Sequence, residues 1–397
     1  MLLCFGLNDR MLYLCITKKF DVKKITVYLL YFTLLFLSLS LWGQRPVTIT
    51  GQLVSSADNS PVIYAHLYIP NTTFGAYSDD NGNFILQAQV WESFDITISH
   101  IEHEIAVIQQ VASSDTLNLG IIKLKPRAHN LSEVVVTDNK DWRKHYAWFL
   151  EYFIGTTPNA RQCKIVNNLA LNFDYNDKNG TLTAWAYEPL VIENEALGYR
   201  LKYDLVLFEA NIHDRSMMYK GFPFFEPMTS SRDRDHKRWQ KNRMEAYRGS
   251  LMHFIKCLYH NTMEEEGFFI KKRNVIRTPI PDKNSVRPVQ ASEIPVERDQ
   301  LIQPDDARDA LRLAFNEKLT IQYTGEAESM AYVTQNQISV GTPKTAPFQS
   351  SKLQLTNKFV QIYPNGYVYD GTHLLVEGYF AWEKIADMLP LDYAPPK

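Results

Sequence analysis

Across residues 47–125 the apolar side chains recur at every second position. Val47, Ile49, Gly51 and Leu53 share one face of a first segment, and Phe94, Ile96 and Ile98 alternate with Asp95, Thr97 and Ser99 in another. A period of two places one face of each strand in a core and the other toward water, the pattern of half-buried antiparallel strands. Further segments at 65–69, 74–78, 84–88, 104–111 and 117–124 are separated by Asn59-Ser60-Pro61, Pro70-Asn71 and Ser113-Ser114-Asp115. Seven short strands with turn residues at this spacing predict a β-sandwich. The run from Ala76 through Tyr77, Ser78 and Asp79 to Asp80-Asn81-Gly82-Asn83-Phe84 reads as a hairpin in which Gly82 takes a positive φ and Phe84 re-enters the core. Its acidic residues lack the full oxygen set and closing Glu of a calcium loop, which leaves Asp80 and Asn81 as candidate contacts with a partner.

Lys23-Lys24 stand before an apolar and hydroxylic run at 27–41, and Trp42-Gly43-Gln44-Arg45-Pro46 ends it. The 15-residue run is shorter than the ~20 residues that cross a bilayer, so residues 1–43 are expected to be a signal peptide with an extended basic front, cleaved after Gly43. The competing reading is an uncleaved membrane anchor, because Leu41 is not the small residue preferred there. Removing residues 1–43 takes five basic and two acidic residues from totals of 42 and 44, so the formal charge moves from −2 to −5. That balance argues against nucleic acid as a partner. Cys163 and Cys257 are the cysteines left beyond the signal; they permit one disulfide without requiring it.

The first segment resembles the carboxypeptidase-regulatory-like domain, a transthyretin-like module of exported Bacteroidetes envelope proteins. The residues that carry the likeness are Ile49-x-Gly51, Pro61-Val62-x-x-Ala65, Ser78-Asp79-x-x-Gly82-x-Phe84 and the closing Leu131-Ser132-Glu133-Val134-Val135-Val136-Thr137. The chain departs from the family where a Gly-Tyr pair usually follows the fifth strand, since His100-Ile101-Glu102-His103-Glu104 stands there. The resemblance implies either a companion zinc carboxypeptidase or a TonB-dependent transporter. Neither fits the remainder. No His-x-x-Glu pair or His-Glu-x-x-His helix is present for zinc. The residues left after the module are too few for a plug and a barrel of about 22 strands.

Beyond residue 138 the pattern becomes mixed. Trp142, Tyr146, Phe149, Leu150 and Phe153 form the apolar stripe of a helix that Gly155 stops, and strands are expected at 169–175 and 181–187 around Asn179-Gly180 and at 199–209. Met244, Tyr247, Leu251, Phe254 and Leu258 repeat by three and four, which predicts one long helix over 233–259. That helix carries the most site-like cluster, Trp239, Arg243, Tyr247, Gly249, Ser250 and His253. Ser250 and His253 are candidate catalytic residues, because three residues apart on a helix a hydroxyl and an imidazole can meet. In the alternative reading Arg243 lies between the Trp239 and Tyr247 rings by cation–π contact, Gly249 admits a crossing strand, and Ser250 and His253 bond to backbone; no carboxylate orienter accompanies the pair. Trp239, Arg243 and Tyr247 are then candidate binding residues. His100 and Glu102, with Glu104, share a strand face as candidate metal ligands, with exposed strand polarity the favoured explanation. Residues 278–304, with five prolines, read as a surface loop. Strands follow at 319–323, 352–355 and 359–363, then a turn at Pro364-Asn365-Gly366 and a last short helix through Trp382, Ile385, Ala386 and Leu389.

The expected chain has a signal peptide at 1–43, a seven-stranded sandwich at 44–130, a linker strand at 131–140 and an α+β domain at 141–397 with one long helix. The expected role is an exported protein of the periplasm or outer membrane, without a cofactor or catalytic activity, that docks an envelope protein through the sandwich and a protein or glycan through the larger domain. A hydrolase acting on peptide or cell wall through Ser250 and His253, and an assembly factor for an outer-membrane complex, are the alternatives. Membrane association is expected only through the N-terminal segment.

Overall fold

The computed structural model describes residues 44–127, 140–275, 291–306, 309–336 and 344–396. The signal segment, the linker strand at 131–137 and its Glu-Val-Val-Val-Thr run lie outside the described residues. The seven expected strands form two sheets. Strands β1 (Arg45–Ser55), β4 (Asn83–Val90) and β7 (Thr116–Leu124) make one, in the order β4-β1-β7. Strands β2 (His66–Tyr68), β3 (Gly75–Tyr77), β5 (Ser93–Ser99) and β6 (Ala106–Val111) make the other, in the order β3-β2-β5-β6. Between them Ile49, Leu53, Leu67, Leu86, Ile96 and Ile98 have no exposed surface, which is the fully desolvated arrangement that drives sheet packing at about 25 cal/mol per Å². Pairing is antiparallel except between β1 and β7, which run parallel. The chain leaves β6 at one sheet's edge and crosses to the other, so β7 arrives in the direction of β1, as a crossover connection requires.

Strand β5 corrects the expected alternation. The period of two expects Thr97 and Ser99 on a solvated face, yet both are buried, because the second half of the chain covers that face. It does so with β12 (Tyr199–Asn211) and β13 (Ser216–Pro227), the long hairpin of a sheet that also holds β8 (Cys163–Ile165), β9 (Leu171–Asn176), β10 (Thr181–Ala186) and β11 (Leu190–Asn194). At the seam the Tyr68 hydroxyl lies 2.6 Å from one oxygen of Asp204 and the Ser99 hydroxyl donates to the other at 2.7 Å. Burial raises the Asp204 pKa, and these two hydroxyls oppose the rise. His66 sits between the rings of Tyr68 and Tyr77, with Phe224 edge-on at 4.5 Å; burial, then the charge of Lys202, pushes its pKa down to about 3, so the imidazole is neutral. Backbone bonds close the seam: Asn71 N–H to Pro223, Phe225 N–H to Thr72 and Leu391 N–H to Asn71.

The first core of the second half sets helix α1 (Lys140–Phe149) against this six-stranded sheet. Its last turn widens to a π-helix over Leu150–Ile154, and the Gly155 N–H bonds back to Leu150. In β12 the alternation breaks at a bulge between Leu205 and Leu207, so Phe208 and Ala210, rather than Leu207, are fully buried. The second core packs helix α3 (Leu251–His260) on a five-stranded sheet, Ala291–Pro295, Phe268–Val275, Leu319–Tyr323, Gln349–Leu355 and Leu374–Gly378, beside a four-stranded one. Ala291–Pro295 and Ile302–Pro304 are strands where a loop is expected from the prolines: the first pairs back onto Phe268–Val275 and the second forms a short hairpin with Leu311–Leu313. Cys163 borders the first core and Cys257 lies in the second, and both are free thiols.

The expected single helix at 233–259 is two helices. Helix α2 (Asp233–Tyr247) ends at Arg248, whose backbone is extended, and Gly249 turns the chain at φ +73° before α3 begins. Ala246 and Tyr247 belong to the first core, whereas Phe254, Ile255, Cys257 and Leu258 belong to the second. One straight axis cannot serve both sheets, although the apolar period runs through the break. The expected last helix is likewise divided into a helical turn, Tyr379–Trp382, and a 3₁₀ turn, Ile385–Asp387.

Replacing Tyr68 with Phe removes one hydroxyl from the buried Asp204 carboxyl and is expected to lower unfolding free energy by about 1–3 kcal/mol. Urea denaturation measures it. A loss below roughly 0.5 kcal/mol, the range of ordinary surface substitutions, would show that the seam does not depend on this bond.

Candidate functional site

Helix α2 meets the β11–β12 turn as a clamp on four consecutive carbonyls. The Trp239 indole N–H donates to Glu195 at 3.0 Å, the Asn242 amide to Ala196 at 2.8 Å, and the Arg243 guanidinium to Leu197 at 2.7 Å and Gly198 at 3.0 Å. Gly198, at φ +68°, is where Trp239 lands; a Cβ there would lie 2.3 Å from the indole. Arg243 stacks on Tyr199, 4.0 Å from the ring centroid, and not between Trp239 and Tyr247. Tyr247 is one turn onward, where the helix ends, and turns toward His253 at 4.6 Å. The structure therefore brings Trp239 and Arg243 together on one turn and assigns Tyr247 to different neighbours. Beyond the clamp, Arg243, Gln240, Tyr199 and Tyr393 line a groove of about 410 Å³ whose other wall is Thr73 and Asp392. A guanidinium, an amide and two phenol rings can hold a carbonyl or carboxylate of an extended ligand.

Ser250 is the N-cap of α3. Its hydroxyl donates to the Tyr247 carbonyl at 2.7 Å and accepts the His253 backbone N–H at 3.1 Å. The His253 imidazole, buried at 3% exposure, takes the Gly249 N–H on Nδ1 at 3.2 Å, and Nε2 faces the Glu266 carboxylate at 3.4 Å. Hydroxyl and imidazole thus bond to other groups rather than to each other, although Glu266 does place at the imidazole the carboxylate that the sequence pattern lacks. Burial lowers the His253 pKa against the pull of Glu266. Gly249 does admit a crossing strand: a Cβ would stand 2.2 Å from the Gln349 side-chain oxygen and 2.7 Å from the Tyr323 ring.

At the sandwich tip Asp79 organises the turn, its carboxylate accepting the N–H groups of Asn81 at 2.9 Å and Asn83 at 2.7 Å. Asp80 accepts the Tyr64 hydroxyl, and the Asn81 carbonyl accepts Gln52, so both candidate residues stay at the surface and leave most of their side chains free to meet water. His100 and Glu102 lie on a turn after β5 and not on a strand, because β5 ends at Ser99. His100 Nδ1 is 2.9 Å from His103 Nδ1 and accepts the Glu102 N–H, while Glu104 pairs with Lys125. Among the described residues no three His, Cys, Asp or Glu side chains are grouped to hold a metal ion.

A cluster absent from the sequence reading lies where the C-terminal segment meets the first core. The Asp387 carboxylate accepts the Thr157 hydroxyl at 2.9 Å and the Asn159 amide at 2.8 Å, and burial pushes its pKa up to about 6. Beside it burial raises the Glu383 carboxyl, lowers Lys384 to about 8 and raises the Cys163 thiol to about 12, which makes the thiol a poor nucleophile. The one available signal was charge at 383, 384 and 387 inside an otherwise apolar segment.

Residues 49–136 match the model of the CarboxypepD_reg-like domain, so the sandwich is a carboxypeptidase-regulatory-like domain. No curated protein matches the chain. Among solved structures, a type II cohesin–X-dockerin complex from Acetivibrio cellulolyticus is 20% identical over 19% of this chain and 52% of that one, with a TM-score of 0.17. A 9R-lipoxygenase from Cyanothece PCC8801 is 6% identical over 54% of this chain and 48% of that one, also with a TM-score of 0.17. The chain thus spans about half the length of each, and neither overlay bears on the fold or the function.

Two outcomes are expected. Ser250→Ala costs about 1 kcal/mol in urea denaturation, the loss of an N-cap, and leaves ligand capture unchanged; a loss of turnover with unchanged stability would instead make the hydroxyl chemical. Asp387 has a folded pKa of about 6 against 3.8 unfolded, so its contribution is fully present below 3.8 and is lost as pH rises through 6. Asp387→Asn is therefore expected to stabilise the protein by about 1–3 kcal/mol at pH 8 and to change little at pH 4, read from denaturation at the two pH values.

Proposed function

We propose that the chain is an exported cell-envelope binding protein, non-catalytic, in which the regulatory-like sandwich docks a partner protein while the larger half holds a second protein or a glycan. The observation that supports docking is the disposition of the sandwich. Its β2–β3 side is locked to β12 and β13, whereas β6 and β7, each the last strand of its sheet, carry exposed Val107, Val111 and Ile121. An edge strand offers unpaired N–H and C=O groups to an added strand, and alternate apolar side chains give that addition selectivity. A binding reading is favoured over hydrolysis because the Ser250 proton is held by the Tyr247 carbonyl and the His253 lone pair by the Gly249 N–H.

Cross-linked capture of the tagged chain from native envelopes tests this. One reproducible envelope protein is expected with the wild type, and the doubly substituted Val107→Lys, Val111→Lys chain, with unchanged circular dichroism, is expected to lose it at least tenfold. Equal capture by both chains would sink the edge-docking reading.

A further inference from the structure

A second cleft opens on the other side of the C-terminal segment, where the turn between β4 and β5 faces the hairpin at Pro364-Asn365-Gly366. Phe94, Tyr367 and Tyr369 supply aromatic faces, and Asp95, Gln109 and Asn365 supply polar groups. Four features narrow the ligand. No Lys, Arg or His belongs to the lining, so nothing there would neutralise a phosphate or carboxylate. The Asn365 side-chain oxygen is taken by the Tyr367 N–H, which leaves its amide N–H₂ as a donor. Asp95 is half-buried among the rings, and burial alone raises its pKa; a carboxylate so placed is best satisfied by hydroxyl donors of a ligand. Trp91, on the same wall, has an indole N–H with no hydrogen-bond partner among the described residues.

We infer that this cleft is a binding site for a neutral saccharide, with Tyr369 and Phe94 against the apolar C–H face of one sugar ring and Asp95, Gln109 and the Asn365 amide on its hydroxyls. A pyranose has this double character, an apolar face bounded by a rim of hydroxyls that both donate and accept. The lining offers donors and acceptors together, which a simple hydrocarbon would leave unpaired at a cost. The enclosed interior measures about 70 Å³, room for about five waters at ~10–15 Å³ each, so it encloses only one edge of a single sugar ring and the rest of the ring lies at the open side. Tyr369 is 42% exposed and forms the open side through which a longer glycan would leave. The inference deepens the binding reading above and rests on it in one respect, that the molecule holds a ligand without transforming it, here between the sandwich and the second half.

Saturation-transfer NMR on the full exported chain, with the methyl glycosides of glucose, galactose, mannose and N-acetylglucosamine as probes and choline as the cationic control, decides it. At least one glycoside is expected to receive saturation, to lose it at least tenfold in Tyr369→Ala and in Asp95→Asn, and to keep it in Val107→Lys, with no transfer to choline. Glycoside signals that survive both cleft substitutions, no glycoside signal at all, or transfer to choline in their place would each overturn the site. Tyr369 is exposed, so its replacement does not threaten folding, and one-dimensional spectra confirm the fold of each variant. Release of methanol from a bound glycoside would support the site while sinking the non-catalytic reading, and loss of strand-edge capture leaves the NMR result untouched.

Discussion

The buried Asp204 carboxyl governs how the two halves of the molecule relate. Two hydroxyls from the sandwich, Tyr68 and Ser99, converge on it from adjacent strands. A buried carboxyl without such partners would cost several kcal/mol. The pairing is therefore specific: only an orientation that brings both hydroxyls onto Asp204 satisfies it, and in that orientation His66 packs on Phe224. Apolar burial could join the halves in many ways, whereas hydrogen bonding at a desolvated charge selects one.

Everything with a candidate role lies downstream of that choice. Fixing β2 and β5 against β12 and β13 leaves β6 and β7 as edge strands away from that seam among the described residues. It also sets the β4–β5 turn opposite the hairpin at 364–366, which creates the aromatic cleft, and seats Leu391 and Asp392 across the loop at 71–73, which separates that cleft from the groove at Arg243. The break at Gly249 acts in the same way within the second half. It lets one amphipathic pattern serve two sheets, and it turns Ser250 from a surface hydroxyl on a continuous helix into a cap for the next one.

Much of the sandwich was legible because strand periodicity is local. The alternation in β1 and β4 reports directly on burial, and the motif around Asp79 and Gly82 needs only neighbouring backbone to form its turn. The cluster at 239–253 was legible as a cluster, but its roles were not. Trp239 and Arg243 take their meaning from the carbonyls of 195–198, some 45 residues away, and no spacing within the helix reveals them. The Asp387 site was hidden for the same reason, since its partners are Thr157 and Asn159. The β12 bulge and the division of the helix at Gly249 were missed because an apolar period continues across both while the backbone does not.

By itself the sequence determined the strand count and the hairpin of the sandwich, the α+β character of the remainder and the clustering of Trp239 to His253, because these depend on periodicity, turn chemistry and composition within short windows. Tertiary structure alone decided which faces of those strands meet water, where the continuous helix must bend, which carboxyls are desolvated and which aromatic rings share a cleft. Those outcomes depend on desolvation and on hydrogen bonds between groups more than a hundred residues apart, such as Tyr68 with Asp204, and such energies exist only once the chain has closed on itself.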